Sequence, residues 1–329
     1  MEQRNGRIVV SQTGGPEVME WVDDSISDPT ENEVQVSHEA IGVDFIDTQL
    51  RSGLLPLELP NGLGFSGVGR ISAVGSGVRD FKVDDRVAYM YFVPGAYCVT
   101  RNVPADRVFK LPNQQLPATE AAGVLFRGLT AWYLARRLKN VEKSDIALVH
   151  TAAGGVGLLL VQWLKHLGAT VIGTVGSENK VSVAKSAGCD AVVCLQNGDF
   201  AKVVSEMTDG KGVDIVYESI GKKTFDTSLS CIRRFGLMVS YGWPSGDLDN
   251  LSAAKFRNSG SLFFTRPTVT HYTAASEDFR TGADELFGLV EQGIIKVTVG
   301  TTYTLQEASR AHEDLASGRT IGSTVLTIS

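Results

Sequence analysis

The sequence predicts an α/β protein in which a doubly wound parallel sheet is joined to a second, β-rich domain shaped as a partly open barrel. The chain has 329 residues, more than one hydrophobic core usually supports. About the first 125 residues hold short β-branched runs separated by turn residues, whereas strands and helices alternate after about residue 146. Glycine contributes 35 residues, above the usual share of about 7%. This excess fits the tight turns of repeated strand–loop–helix units.

Composition limits the kinds of partner. A net charge of −6 argues against a general nucleic-acid-binding surface. No apolar run approaches the roughly 20 residues that span a bilayer, and the N-terminal run is too short for a signal peptide. The four cysteines show neither CxxC nor metal-ligand spacing, which predicts reduced, buried thiols in a cytoplasmic protein: Cys98, Cys189, Cys194 and Cys231.

The elements of the β-rich part come first along the chain. Alternating β-branched runs bounded by Gly, Pro and Asp turns predict short strands. Such closely spaced turns suit a compact, partly open barrel. The predicted strands cover residues 7–10, 33–40, 68–74, 86–91 and 96–100.

A helical pattern over 117–138 then opens the alternating part. Near-continuous apolar strands between amphipathic helices are typical of a parallel sheet covered on both faces. Strands are predicted over 146–150, 170–175, 191–194, 213–218, 236–240, 261–265 and 323–328, and helices over 156–167, 180–187, 200–207, 223–231, 276–291 and 305–317.

A glycine cluster follows the first of these strands. Residues 152–157 read AAGGVG, a G-x-G-x-x-G fingerprint in which Ala152 replaces the first glycine. A strand, a turn of small residues and a helix together form an anion-binding device, because the helix N-terminus offers free N–H groups. The sequence therefore predicts a dinucleotide pyrophosphate site at Gly154, Gly155, Val156 and Gly157.

The end of the second strand predicts the choice of cofactor. NAD sites usually carry an acidic residue there, about 20 residues after the fingerprint. Here the position is Gly176, followed by Ser177, and Lys180 supplies a positive charge. This arrangement favours NADPH over NADH, although Glu178 remains an alternative acceptor for the ribose hydroxyls.

No metal site is expected. The five histidines are scattered and none is paired with a cysteine, whereas zinc needs three or four converging ligands. Each histidine is interpreted as structural, with His166 exposed on a helix: His38, His150, His166, His271 and His312.

Motifs spread over nearly the whole chain resemble the zinc-free quinone oxidoreductases of the medium-chain dehydrogenase/reductase superfamily, the group that includes zeta-crystallin. Zinc-dependent relatives carry a Cys and a Gly-His-Glu where this chain has Asp44-Phe45 and Gly64-Phe65-Ser66. The matching stretches are 13-TGGPEVME-20, 40-AIGVDFIDTQLRSG-53, 83-VDDRVAY-89, 95-GAY-97, 128-GLTAWY-133, 151-TAAGGVG-157, 167-LGATVIGTVGSENK-180, 213-VDIVYESIG-221, 236-GLMVSYG-242, 264-FTRP-267 and 318-GRTIGS-323.

The resemblance implies an architecture. Residues 1–124 and 266–329 would form a GroES-like catalytic domain, and residues 125–265 an inserted Rossmann domain that binds NADPH. The active site would lie in the cleft between them. A homodimer would form through the apolar edge strand 260–267.

The resemblance also assigns cofactor contacts. Structural roles remain open for Thr130, Ser219 and Tyr241. The implied contacts are Asp44, Thr130 and Tyr133 near the nicotinamide and its ribose, Gly154, Gly155, Val156 and Gly157 at the pyrophosphate, Gly173, Ser177 and Lys180 around the 2′-phosphate, Ser219, Tyr241 and Gly242 near the ribose and nicotinamide, and Arg319 near the phosphates or the nicotinamide.

The implied reaction is hydride transfer from NADPH to a small quinone. No evident acid catalyst is present, which suits a quinone or an activated enone better than a carbonyl. The polar candidates for orienting the substrate are Asp44, Gln49, Arg51 and Arg266, and Gln49 stands where the family often has an aromatic residue. Two alternatives stay open: an NADPH-dependent enone or alkenal reductase, and a non-catalytic NADPH-binding protein with a structural or RNA-binding role.

Overall fold

The computed structural model describes residues 5–249 and 251–328. The chain divides into two compact units: one runs to Leu129 and resumes at Thr273, and the other spans Thr130–Tyr272. The assignment of one as a catalytic domain and the other as a nucleotide-binding domain stays a prediction.

The described part of the chain forms the following elements. The strands are β1 (Gly6–Val10), β2 (Met19–Asp23), β3 (Glu33–Val43), β4 (Asn61–Gly62), β5 (Ser66–Val74), β6 (Arg86–Met90), β7 (Thr100–Pro104), β8 (Val108–Lys110), β9 (Ile146–Val149), β10 (Thr170–Val175), β11 (Ala191–Cys194), β12 (Val213–Glu218), β13 (Ile232–Ser240), β14 (Phe263–Thr265), β15 (Val299–Thr304) and β16 (Ser323–Thr327). The helices are α1 (Phe45–Ser52), α2 (Ala118–Trp132), α3 (Gly155–His166), α4 (Val181–Ala187), α5 (Phe200–Met207), α6 (Phe225–Ser230), α7 (Ala253–Asn258), α8 (Val269–Tyr272), α9 (Ser276–Glu291) and α10 (Ala308–Ala316).

The first unit is built on a mostly antiparallel sheet with the order β15-β16-β3-β5-β6-β8, and β7 pairs with the other end of β3. The long strand β3 is central because it pairs with β5, β7 and β16. Its inward side chains, among them Val34, Val36 and Ile41, are fully buried in the core. A small sheet of β2, β1 and β4 packs its own apolar residues into the same core.

The second unit contains a six-stranded parallel sheet with the order β11-β10-β9-β12-β13-β14. Strand β9 lies inside the sheet between β10 and β12, and its residues Ala147, Leu148 and Val149 are fully buried. Continuous apolar strands are what a sheet covered on both faces requires. The predicted fold class, a doubly wound parallel sheet joined to a partly open barrel domain, is confirmed.

Two of the predicted bounds differ from the structure for a local reason. Strand β7 begins at Thr100, whereas the strand was predicted over 96–100. Cys98 N–H donates to Ala96 O at 2.8 Å, and this local turn takes the segment out of the sheet ladder apart from one isolated bridge to Arg7. The helix α6 begins at Phe225 rather than at 223, because the preceding residues form a turn at Gly221.

The long helix α9 spans Ser276–Glu291 as predicted. Helix α1 was not predicted; it ends at Gly53, whose φ of 80° lies in the left-handed region that glycine tolerates. Among the described residues, no helix has the length and apolar character needed to cross a bilayer.

Candidate active site

The glycine turn after β9 forms an uncapped helix N-terminus. Gly154 is the N-cap of α3, and no side chain caps the helix there. A Cβ on Gly157 would come within 3.0 Å of the Thr151 carbonyl oxygen, so only glycine fits this close approach. The first N–H groups of α3 are therefore presented at a bare backbone surface, the arrangement that a pyrophosphate group needs.

Gly173 has a packing role in the structure. It lies buried within β10, and a Cβ there would come 2.7 Å from Cys189 Sγ and 2.8 Å from Ala152 Cβ. Its small size lets β10 approach the glycine turn closely. The implied contact of Gly173 with a 2′-phosphate stays a prediction.

The loop after β10 is open at the position where an NAD site usually has a carboxylate. Gly176 is exposed, and no atom lies within 4 Å of the place its Cβ would take. Glu178 accepts a hydrogen bond from Asn197 Nδ2 at 3.0 Å. Lys180 is half-buried, and burial lowers its pKa. The place that a side chain at position 176 would take is therefore open among the described residues, and the contacts of Ser177 and Lys180 with a 2′-phosphate stay predictions.

The loops after β12 and β13 meet the glycine turn after β9 at the carboxyl edge of the parallel sheet. The Ser219 hydroxyl contacts the Thr151 hydroxyl and lies 3.2 Å from the His150 carbonyl oxygen. Gly242 packs so closely on Ser219 that a Cβ would lie 2.7 Å from the Ser219 carbonyl oxygen. Burial raises the pKa of Tyr241, and a hydrogen bond with Ser219 partly offsets the effect. The structure thus brings Ser219, Tyr241 and Gly242 together where open α/β sheets bind ligands.

A buried carboxylate, which sequence reasoning missed, shapes the turn after β12. Glu218 is fully buried and accepts hydrogen bonds from Ile220 N at 2.7 Å, Gly221 N at 3.1 Å and Ser228 Oγ at 2.8 Å. Because the Ser228 hydrogen points to Glu218, Ser228 Oγ accepts from His150 Nε2, also at 2.8 Å. Burial lowers the pKa of His150, which keeps this histidine neutral.

In the other unit, acidic and basic side chains are buried together at the start of α1. Asp44 is 4% exposed, and its Oδ1 lies 3.3 Å from Arg127 Nη2. Its Oδ2 has no hydrogen-bond partner among the described residues. Burial raises the pKa of Asp44, whereas the Arg127 charge opposes that rise.

Asp47 connects this pair to a second buried cluster. Its Oδ2 accepts from Asp44 N at 2.8 Å and from the Tyr97 hydroxyl at 3.0 Å. Since Tyr97 gives its only hydrogen to Asp47, His312 Nε2 donates to the Tyr97 oxygen, at 3.0 Å. Burial and the Asp44 charge raise the pKa of Asp47 to about 7, and burial lowers that of His312 to about 3.

The remaining polar candidates for substrate orientation differ in their surroundings. Gln49 and Arg51 are interior side chains, 7% and 5% exposed. Arg266 is exposed, pairs with Asp247, and lies with its Cζ 4.1 Å from the centroid of the Trp243 ring. Trp243 was not predicted from the sequence, because its contact with Arg266 joins the loops after β13 and β14.

Three further predicted contacts are placed as follows. Thr130 is 7% exposed on α2. Tyr133 is 1% exposed, with its ring stacked on Tyr272 at 4.6 Å between centroids. Arg319 is 70% exposed and forms an ion pair with Asp314 at 2.7 Å. Their roles toward a cofactor stay predictions.

Titratable side chains do not converge on a metal-ion site in the described part of the chain. No group of three or more His, Cys, Asp or Glu residues there has the required proximity. The four cysteines are free and buried.

Two family profiles match the chain. The profile described as "Alcohol dehydrogenase GroES-like domain" matches residues 30–135, and the one described as "Zinc-binding dehydrogenase" matches residues 155–288. The first match falls largely in the antiparallel unit and the second begins at the glycine turn.

Relatives of similar length match nearly the whole chain. Quinone oxidoreductase 1 of Escherichia coli is 43% identical over 97% of this chain and 98% of its own length. The quinone oxidoreductase of Pseudomonas aeruginosa gives the same values. The 2-haloacrylate reductase of a Burkholderia species is 40% identical, covering 97% of both chains.

Solved structures agree with these matches. The Escherichia coli quinone oxidoreductase complexed with NADPH superimposes with a TM-score of 0.95 at 42% identity, covering 98% of this chain and 99% of that chain. A mycobacterial protein complexed with NADPH gives a TM-score of 0.94 at 40% identity, with the same coverage.

Proposed function

Because this chain belongs to the zinc-free quinone oxidoreductases of the medium-chain dehydrogenase/reductase superfamily, we infer that it is an NADPH-dependent quinone oxidoreductase. The observation that carries this conclusion is 43% identity to bacterial quinone oxidoreductases over 97% of the chain. The bare N-terminus of α3 after β9 independently fits the dinucleotide that such a reaction needs.

The cofactor is NADPH, which supplies the hydride when bound. The α3 turn is proposed to hold its pyrophosphate through Gly154, Gly155, Val156 and Gly157. Ser177 and Lys180 are proposed to hold the 2′-phosphate, since Glu178 is already bound to Asn197. Because a carboxylate at position 176 would repel that phosphate, Gly176 supports a preference for NADPH over NADH.

The loops after β12 and β13 are proposed to position the ribose and nicotinamide. Ser219 contacts the Thr151 hydroxyl, and Gly242 packs so closely on Ser219 that a Cβ there would lie 2.7 Å from the Ser219 carbonyl oxygen. Glu218 fixes the turn that carries Ser219, so we assign Glu218 a positioning role.

In the unit that contains α1, Asp44 is the strongest candidate for orienting substrate or nicotinamide. Its Oδ2 is buried and lacks a hydrogen-bond partner among the described residues, and of the other three candidates only Arg51 has such atoms, its Nε and Nη1. Arg127 keeps the charge of Asp44 balanced and fixes its other oxygen. Gln49, Arg51 and Arg266 stay secondary candidates.

Reduction of a quinone does not require a strong acid catalyst at this site. A quinone that accepts a hydride becomes a hydroquinone anion, which takes a proton from water. The chain therefore needs to bind and orient the quinone more than it needs to supply a strong acid.

A second candidate function is the reduction of an activated carbon–carbon double bond. The observation in its favour is 40% identity, over 97% of both chains, to a protein named 2-haloacrylate reductase. A non-catalytic NADPH-binding role remains the third alternative, and the family match to named oxidoreductases argues against it.

We also propose a homodimer that pairs the edge strand around 260–267. Strand β14 ends the six-stranded sheet, and Phe263 on it is 64% exposed. Phe235, which is 65% exposed, lies beside it because its N–H donates to the Gly260 carbonyl at 3.0 Å. A cytoplasmic location is also proposed, supported by four cysteines that are all free.

An acceptor panel tests the proposed function. Chelator-treated protein is mixed with NADPH or NADH and with 1,4-benzoquinone, 2-cyclohexen-1-one or 2-chloroacrylate. We expect the fastest oxidation of NADPH with the quinone and slower oxidation of NADH. Turnover of the enone or haloacrylate without turnover of the quinone would transfer the assignment to the second candidate.

A further inference from the structure

The loops after β10 and β11 begin side by side at the carboxyl edge of the parallel sheet. Val175 pairs with Cys194 in the register of the two strands, and Leu195 N–H donates to the Val175 carbonyl at 2.9 Å. The first residues of the two loops are therefore held next to each other. The loop after β10 begins at Gly176, in the region where dinucleotide-binding folds distinguish NAD from NADP.

A tight turn carries Asn197 in the loop after β11. Gly198 N–H donates to the Cys194 carbonyl at 2.8 Å, and a Cβ on Gly198 would lie 2.9 Å from that carbonyl oxygen. The next residue, Asp199, caps the N-terminus of α5 with its side chain. The backbone that follows Asn197 is therefore fixed by a hydrogen bond, by close packing and by a helix cap.

The side chain of Asn197 connects this turn to the loop after β10. Its Nδ2 donates to Glu178 Oε1 at 3.0 Å, and both side chains are exposed at the surface. Glu178 is the one acidic residue of the segment 176-GSENK-180. The hydrogen bond therefore holds the carboxylate of this segment against the loop after β11.

A carboxylate in this segment has opposite consequences for the two cofactors. A free carboxylate accepts hydrogen bonds from the ribose hydroxyls of NADH, as acidic residues do in NAD sites. Beside a 2′-phosphate the same carboxylate is repelled, because like charges within roughly 4–6 Å disfavour each other. Lys180 is the one basic residue of the segment, so a released Glu178 carboxylate would compete with the phosphate for a single cation.

We propose that Asn197 sets the preference for NADPH by binding the Glu178 carboxylate, which then neither repels the 2′-phosphate of NADPH nor accepts from the 2′-hydroxyl of NADH. Asn197 is a positioning residue in this role, because it acts through Glu178 and does not touch the phosphate. This inference rests on the proposed function, which places the 2′-phosphate beside Ser177 and Lys180. It explains how an acidic residue in this loop is compatible with NADPH.

Direct binding tests this role without an electron acceptor. Kd values for NADPH and NADH are measured by titrating the full chain and following the fluorescence of the reduced nicotinamide. In Asn197→Ala we expect Kd for NADPH to rise about fivefold and Kd for NADH to fall about twofold, because the released carboxylate repels one cofactor and binds the other. The preference for NADPH should therefore fall about tenfold.

A double variant separates action through Glu178 from a direct contact with the phosphate. Glu178→Gln removes the charge and should bind NADPH at least as tightly as wild type. In the Glu178→Gln background, Asn197→Ala should change neither Kd. The matched control is Asn258→Ala, which removes another exposed asparagine of the same unit, one that accepts from Arg257 Nε at 3.3 Å. It should bind both cofactors as wild type does.

The outcomes are distinguishable. A wild type without preference for NADPH, or an unchanged preference in Asn197→Ala, would overturn the role of Asn197. An equal loss of NADPH affinity with and without the Glu178 charge would also overturn it, since Asn197 would then contact the phosphate itself. These results leave quinone reduction intact. A wild type that binds NADPH but reduces no quinone would remove the proposed function alone, because the two Kd values are measured without an acceptor.

Discussion

Asp47 is a carboxyl group placed in unfavourable surroundings for its charge. It is fully buried and lies beside Asp44, so its pKa rises to about 7, although hydrogen bonds from Tyr97 and two backbone N–H groups oppose the rise. In the unfolded chain the same group titrates near 3.8. Between about pH 4 and pH 7 the folded state therefore holds more of this proton than the unfolded state does.

This difference predicts a pH dependence of stability. Because the folded state binds the extra proton, the contribution of Asp47 to stability becomes less favourable as pH rises from about 4 to 7. It is least favourable above pH 7. Asp47→Asn removes this titrating group. The stability of the variant relative to wild type should therefore increase as pH rises through this window. Urea unfolding at pH 4.5 and pH 7.5 measures the effect, with exposed Asp80→Asn as the control. A difference between variant and wild type that does not change with pH would contradict the raised pKa.

A second prediction at the residue scale concerns substitutions of Glu218. Glu218→Ala leaves Ile220 N, Gly221 N and two hydroxyl groups without their acceptor, which should lower the free energy of unfolding by about 3 kcal/mol. It should also raise KM for NADPH more than it lowers kcat, because the turn carrying Ser219 loses its anchor. Glu218→Gln keeps one carbonyl oxygen and should recover most of both losses. An alanine variant with normal stability and a normal KM for NADPH would disprove the positioning role.

At the level of elements, the sequence was most informative where burial is continuous. Strands β9, β10 and β12 are buried over nearly their whole length and were predicted close to their true bounds. Strand β15 was missed because its outer residues 300–302 are exposed and show no alternation. Helix α1 was missed because it has only eight residues, yet Asp47 supports its first turn by accepting a hydrogen bond from Asp44 N.

The candidate site likewise contains one feature that is local in sequence and others that depend on distant segments. The glycine turn is local, so its pattern is readable in the sequence. The roles of Glu218 and Trp243 depend on contacts with residues elsewhere in the chain, and neither residue belongs to a recognisable local motif. Single-sequence reasoning has no signal for such pairs.

The strand–turn–helix element of β9 and α3 supplies a prediction about cofactor binding. In Gly157→Ala the new methyl group would clash with the Thr151 carbonyl, so the turn must open and the N–H groups of α3 must move. We expect the Kd for NADPH to rise about tenfold or more, measured by fluorescence titration. Gly288→Ala, on α9 where a Cβ meets no atom within 4 Å, should leave the Kd unchanged. Unaltered NADPH binding in Gly157→Ala would contradict the pyrophosphate assignment.

At the level of the whole molecule, the proposed dimer follows from an unpaired edge. An apolar terminal strand exposes N–H and C=O groups that a second copy can pair. Phe263→Lys places a charge on this edge and should convert a dimer into a monomer in sedimentation velocity. Val83→Lys, at a 51% exposed apolar residue of the other unit, is the control and should remain dimeric. A wild type that sediments as a monomer, or a dimer unaffected by Phe263→Lys, would contradict pairing through β14.

The central claim is that this chain transfers a hydride from NADPH to a quinone without a metal ion. The most direct test is an anaerobic reaction of chelator-treated protein with limiting NADPH and excess 1,4-naphthoquinone, in which NADPH consumed and hydroquinone formed are both quantified. The account predicts catalytic turnover with one hydroquinone formed for each NADPH oxidised. Binding of NADPH without its oxidation, or activity that disappears with the chelator and returns with zinc, would contradict it.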